Sequence, residues 1–306
     1  MSACLIAMYH YVRDAAASPF PELRALSPDT FERQLDWLQE HHTVVDLSTL
    51  ERAAQGLEAL PERSALLTFD DGFVDHYEVV FGILKARGLT GVFFLTEDAC
   101  GSAPRLLGVH KTQFLLAALG ADAFGRAVLE ECRAAVAAGG QWRDVYGSDR
   151  WDRADERAVK QLLNYELPFD ESDRVLDALF AQHVGDPGAF ARTLYLSPPQ
   201  VGEMARDGMH FGYHTRSHRV LARLTPQQQY AELAGGVGWI QSLTGQERVS
   251  FCYPWGSPAT YTSDTVSILG ETGYSVAFNT VRREAALPGD YRFELPRLDT
   301  RDLPPH

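Results

Sequence analysis

Positive charge is in short supply. The 306 residues carry Lys+Arg 28 against Asp+Glu 41, a formal net charge of −13. That balance argues against a general nucleic-acid or anionic-membrane binder, leaving only a local basic patch to serve such a role. Cysteine is scarcer still, with Cys4, Cys100, Cys132 and Cys252 scattered and no CxxC pair among them. Neither a disulfide framework nor a zinc knuckle is indicated. No run approaches the ~18 apolar residues of a membrane span. The opening Met1-Ser2-Ala3-Cys4-Leu5-Ile6-Ala7-Met8-Tyr9-His10 has no positively charged start, and its apolar stretch is too short for a signal peptide, so the expected compartment is the cytoplasm. Internal repeats and low-complexity tracts are missing too. What is present is a globular composition, 45% hydrophobic, long enough for a substantial core.

Short apolar segments alternate with helical patterns. The candidate strands are Leu5–Met8, Thr43–Val45, Ala65–Phe69, Val92–Leu95, His210–Tyr213, Val249–Tyr253, Ser275–Phe278 and Tyr291–Leu295. Most are continuous apolar runs, as strands covered on both faces require. Helix starts are legible between them. Ser27-Pro28 opens a helix with Phe31, Leu35 and Leu38 on one face. Ser197-Pro198-Pro199-Gln200 and Thr225-Pro226-Gln227-Gln228 each set a hydroxyl cap three residues before a glutamine. Asp75 precedes Glu78 in the same manner, and Gly88 is placed to end that helix. Strand, loop, capped helix, strand predicts an α/β fold with a parallel core, and eight strand candidates allow a closed or nearly closed barrel. From 104 to 196 strand signals nearly vanish. Phe114 and Leu119, then Phe124, Val128, Cys132 and Val136, then Leu162 and Leu163, then Val175, Leu176, Leu179 and Phe180 recur at helical spacing. The expected organisation is one domain, 1–306, interrupted by a helical insertion that could cap a site.

Chemistry-bearing residues gather in two distant motifs, Thr68-Phe69-Asp70-Asp71-Gly72 and His214-Thr215-Arg216-Ser217-His218. Two imidazoles four apart could point the same way from one helical turn. Two adjacent carboxylates at a strand terminus repel each other unless a cation or proton intervenes. A divalent ion held by two histidines and one carboxylate keeps positions open for water and substrate, and the second carboxylate is then free to act as a base. The bland alternatives are packed imidazoles and an ordinary Asp-Gly turn.

These motifs, with Phe251-Cys252-Tyr253-Pro254-Trp255-Gly256, resemble the ordered motifs of the polysaccharide deacetylases, the NodB-homology or carbohydrate esterase 4 family. The resemblance covers Leu5–Val12, Ser27–Leu50, Ala65–Leu95 and Gly208–Gly256, and weakly the stretch to Asp302. It implies a distorted (β/α) barrel of about seven to eight parallel strands carrying the helical insertion, and de-N-acetylation of an N-acetylated amino sugar. By position it makes Asp70 the base, Asp71, His214 and His218 the ligands of one divalent ion, usually zinc, and Trp255 the backbone donor to the oxyanion. No histidine stands in the late Leu295-Pro296-Arg297-Leu298-Asp299-Thr300 stretch. His10, in Met8-Tyr9-His10-Tyr11-Val12, resembles the amino-terminal YH motif of the circularly permuted members and is the expected general acid. Packing of Trp255 and a structural hydrogen bond at His10 are the competing readings.

Two departures stand out. Cys252 replaces the arginine that commonly holds the base aspartate, and the late Asp-Trp motif is missing. Arg297 is placed to supply the lost contact. A buried Cys252 reads as an apolar filler rather than a nucleophile. Tyr213 and Phe73 either line a sugar subsite or pack the strand ends. His41, His42, His76, His110, His183 and His210 form no second constellation, and His306 ends a proline-rich tail. The expected partner is a carbohydrate in surface polysaccharide assembly, with no nucleic acid and no membrane span; the oligomeric state is open. Rivals are an amidase or deformylase, a non-catalytic glycan-binding descendant, and a two-histidine-one-carboxylate iron oxygenase.

Overall fold

The computed structural model describes residues 2–132 and 154–305. Val136 and His306, both named above, lie outside them. Contacts divide the chain into two units: residues 1–14, 25–104 and 194–306, and residues 15–24 and 105–193.

Among its described residues, the first unit is built on nine strands: β1 (Ser2–Tyr9), β2 (Thr43–Val44), β3 (Ser64–Phe69), β4 (Val92–Leu95), β5 (His210–Tyr213), β6 (Ser250–Cys252), β7 (Ala277–Phe278), β8 (Ala285–Leu287) and β9 (Leu298–Asp299). Their order is β7-β6-β5-β4-β3-β1-β8, with β2 beside the start of β3 and β9 beside the end of β1. Every pairing is parallel except β1 with β8. The sheet curls into a distorted (β/α) barrel, and one segment forms its seam. Leu295 bridges β7 in parallel at Phe278, and three residues later Leu298 and Asp299 pair with β1 at Ala7 and Met8. The barrel interior follows from alternation along the strands. Cys4, Ile6, Leu66, Val92, Phe94, Cys252, Val276 and Phe278 form one buried cluster.

Sequence expectation and structure part company at that seam. Tyr291–Leu295 alternates as a strand would, yet it makes only the single bridge at Leu295, and the true strand starts at Leu298. The helix starts hold where the cap is local. Ser27 accepts from the Thr30 amide, with Phe31, Leu35 and Leu38 buried beyond it, and both Pro-Gln boxes close. Asp75 does not cap. A π-helix runs from His76 to Phe81, and the Asp75 side chain is engaged elsewhere.

Among its described residues, the second unit's regular structure is helical, including Gly108–Leu119, Ala121–Glu131, Ala154–Gln161 and Phe169–His183. Its core joins Phe20, Phe114, Phe180 and Phe190 edge to face, with centroids 4.7–6.0 Å apart. Among the described residues of the chain, no helix is long and apolar enough to cross a membrane.

Candidate active site

Three strands deliver their next residues, and a fourth its last, to one rim, the carboxyl end of the barrel, where loops can carry chemistry without disturbing the core. Asp70 follows β3, His10 follows β1, His214 follows β5, and Cys252 closes β6. The ladder continues one step beyond the strands, with the Asp70 amide donating to Tyr9 at 2.9 Å and the His214 amide to Leu95 at 2.9 Å. The chain then turns sharply through Asp71 (φ 73°) and Gly72 (φ 65°). A Cβ on Gly72 would stand 2.4 Å from Cys100 Sγ, so only glycine fits.

Asp71 Oδ1 lies 3.4 Å from His214 Nε2 and 3.3 Å from His218 Nε2, and all three side chains are buried. His214 Nδ1 lies 2.7 Å from the Cys252 carbonyl oxygen and donates to it, which fixes the tautomer and turns the Nε2 lone pair toward Asp71. The two histidines do not share a helical turn. They sit on a bent loop in which Thr215 (φ 64°) and His218 (φ 58°) are left-handed. The Thr215 hydroxyl accepts the His218 amide at 2.9 Å, and the Glu232 carboxylate accepts the Ser217 amide at 2.9 Å and its hydroxyl at 2.6 Å. A four-residue spacing suits such a loop as well as a helix. Two imidazole nitrogens and a carboxylate oxygen converging out of solvent have the chemistry of a divalent-metal site with positions left open. Asp70, His214 and Cys252 also lie close together, but Arg297 holds both oxygens of Asp70 and His214 Nδ1 is committed to a carbonyl. With its carboxylate already paired to a guanidinium, that second grouping is the poorer place for a cation.

Asp70 is paired with Arg297 through two bonds of 2.7 Å, Nη1 to Oδ1 and Nη2 to Oδ2. Arg297 also donates to Thr68 Oγ1 (3.1 Å), the Asn279 carbonyl (3.1 Å) and Cys252 Sγ (2.9 Å). Burial alone would raise the Asp70 pKa, but the guanidinium prevails and the carboxyl falls to about 2. Arg297, on the seam, thus makes the contact to Asp70 expected of it from the sequence. Cys252 fits beneath the pair, its thiol pKa raised by burial, which makes it a poor nucleophile. His10 stands at the rim with Nε2 3.8 Å from Asp70 Oδ2 and 40% of its side chain exposed. Trp255 (φ 66°) sets its ring edge-on to His218 at 5.6 Å.

Among the described residues, five non-glycine residues adopt positive φ, and four of them are Asp71, Thr215, His218 and Trp255. Each costs about 1–3 kcal/mol, a strain that concentrates where geometry is under functional constraint. Tyr213 and Phe73 are buried and pack at the strand ends. The Tyr213 hydroxyl donates to Glu97 at 2.9 Å, and Phe73 is buried against Tyr11 and Tyr195. The contacts made by Thr68, Asn279, Asp75 and His76 leave no local signal, because their partners lie far away in the chain.

The chain matches the family model described as "Polysaccharide deacetylase" over residues 58–117 and 172–277, more than half its length. It is 33% identical over 86 residues to YxkH of Bacillus subtilis (strain 168), a match spanning 28% of this chain and 30% of that protein. It is 34% identical over 79 residues to the poly-beta-1,6-N-acetyl-D-glucosamine N-deacetylase of Escherichia coli (strain K12), across 26% of this chain and 12% of the relative. The aligned parts therefore span well under two thirds of either relative. The fold is similar to that of the Streptococcus pyogenes deacetylase PplD solved with acetate, with a TM-score of 0.60 at 20% identity over 99% of this chain and 93% of that one. It also resembles IcaB from Ammonifex degensii, with a TM-score of 0.58 at 20% identity over 97% and 91%. The chain belongs to the polysaccharide deacetylase family.

Proposed function

We propose that this protein hydrolyses the N-acetyl group of an amino sugar, in a glycan or glycan precursor of surface polysaccharide assembly, using one divalent metal ion, zinc. The observation that carries this reading is the convergence of Asp71, His214 and His218 beside an Asp70 that is buried, ionised and held off the triad by Arg297. The named activity of the Escherichia coli relative supports the substrate class. When bound by the triad, the ion supplies Lewis-acid polarisation of the acetyl carbonyl and acidifies a water.

The remaining steps belong to the chain's own groups. Asp70, a carboxylate throughout the physiological range, takes the proton of the attacking water. The Trp255 backbone N–H donates to the oxyanion that forms at the carbonyl. His10 gives a proton to the departing amine as the C–N bond breaks. The helical insertion, lying in the chain between the two metal motifs, tunes substrate preference. Four unpaired, buried cysteines suit a reducing compartment such as the cytoplasm.

Acetate release from a panel of N-acetylated amino sugars, with N-formyl and simple amide controls, tests the activity. Release from the sugars in preference to the controls supports the reading. Preference for a non-sugar amide would favour the amidase alternative, and no release by metal-loaded protein would favour the glycan-binding one.

A further inference from the structure

The loop that carries His10 is docked residue by residue on the segment immediately after Asp70-Asp71-Gly72. The His10 carbonyl lies 2.9 Å from His76 Nε2. The Tyr11 ring stacks on Phe73 with centroids 3.9 Å apart. The Val12 amide donates to Asp75 Oδ2 at 3.2 Å, and Arg13 donates to the same carboxylate from Nε (2.7 Å) and Nη2 (2.5 Å). Asp75 and His76 are both buried, at 4% and 0% exposure. His76 packs among Phe69, Phe73 and Phe93, and burial in that apolar surrounding lowers its pKa. A neutral imidazole has one N–H to give, and an Nε2–H points it at the His10 carbonyl. By contrast, the His10 side chain is 40% exposed, and its 3.8 Å approach to Asp70 is longer than a hydrogen bond. The backbone, rather than the ring's own contacts, fixes where the imidazole stands.

We propose that Asp75 and His76 are positioning residues. They clamp the backbone of residues 10–13 so that His10 meets the leaving nitrogen at the site where Asp70 activates water. This rests on the general-acid reading of His10. An acid displaced by about 1 Å loses much of its effect, and general-acid catalysis is worth ~10²- to 10⁴-fold.

The discriminating chemistry is the leaving group. An amide nitrogen must take a proton as the C–N bond breaks, whereas 4-nitrophenolate departs as the anion and needs none. The experiment measures turnover of an N-acetylated amino sugar and of 4-nitrophenyl acetate by metal-loaded protein, and takes their ratio, which does not depend on the fraction of protein folded. His76→Phe keeps an aromatic ring but no donor, His76→Gln keeps a donor, and Asp75→Ala frees the loop. The expected result is a fall in the amide-to-ester ratio of at least about tenfold for His76→Phe and Asp75→Ala. The amide effect should lie in kcat rather than KM, with metal content unchanged, and His76→Gln should recover most of the loss. His10→Ala is run beside them. If His10→Ala lowers the ratio while the clamp variants leave it at the wild-type value, the clamp is refuted and the general-acid reading stands. If His10→Ala leaves the ratio unmoved, the reading falls and the clamp falls with it.

Discussion

Arg297 and Asp70 meet fork to fork, two hydrogen bonds of 2.7 Å between side chains that are both out of solvent, although 227 residues separate them. Arg297 reaches Asp70 because its segment closes the barrel between β7 and β1. The arginine keeps the carboxylate ionised, fixes its orientation, and leaves the proposed metal site to Asp71 and the histidines.

The pair predicts a pH shift. The folded pKa of Asp70, about 2, lies below that of an unfolded aspartate. Its contribution to stability is therefore full above about pH 4 and is lost as pH falls toward 2. In Arg297→Met, burial is opposed only by the more modest pull of His214 and His10 and the pKa rises, so the acidic limb of kcat/KM moves to higher pH. Breaking a buried pair also costs about 3–5 kcal/mol, whereas removing both partners in Arg297→Met/Asp70→Asn costs less. Calorimetry of the single and double variants, with a pH–rate profile of the single one, checks both.

Metal content separates the two aspartates. Asp71→Asn, His214→Ala and His218→Ala each remove one donor of the three and should bind the ion too weakly to retain it through a desalting step. Because an ion that binds only the native state adds stability, chelation should lower the wild-type Tm and leave these three variants unchanged. Elemental analysis and thermal melts in the presence and absence of a chelator measure it.

Trp255 is assigned a backbone role, and its φ of 66° is left-handed. Trp255→Gly keeps the N–H and relieves about 1 kcal/mol of backbone strain, while losing the ring against His218. The variant should keep kcat within about tenfold of wild type, set against the ~10²- to 10³-fold loss typical of a missing oxyanion donor. A loss of the latter size would assign the contribution to the indole instead.

Much of this site can be read from local pattern, and its limits are physical. Asp70 and Asp71 were legible because a continuous apolar run ends at them, and the barrel places such ends on one rim. His214 and His218 were legible as a pair but not in conformation, since a spacing of four fits a helical turn and a bent loop alike. The left-handed Thr215 and His218 carry no residue-type signal. Asp75 illustrates the converse. An acidic residue ahead of a helix reads as a cap, yet its carboxylate is taken by Val12 and Arg13 from the loop after the neighbouring strand. Strands of two or three residues such as β8 and β9 exist by pairing alone, and no periodicity can form over so short a span.

The most direct measurement is turnover and metal content of Asp70→Asn, determined on one preparation. Asparagine keeps the shape and one of the two acceptors facing Arg297 but cannot take a proton from water. Deacetylation should fall by at least about 10²-fold with one ion still bound per chain. A variant that turns over near the wild-type rate, or one that loses its ion, would contradict that expectation.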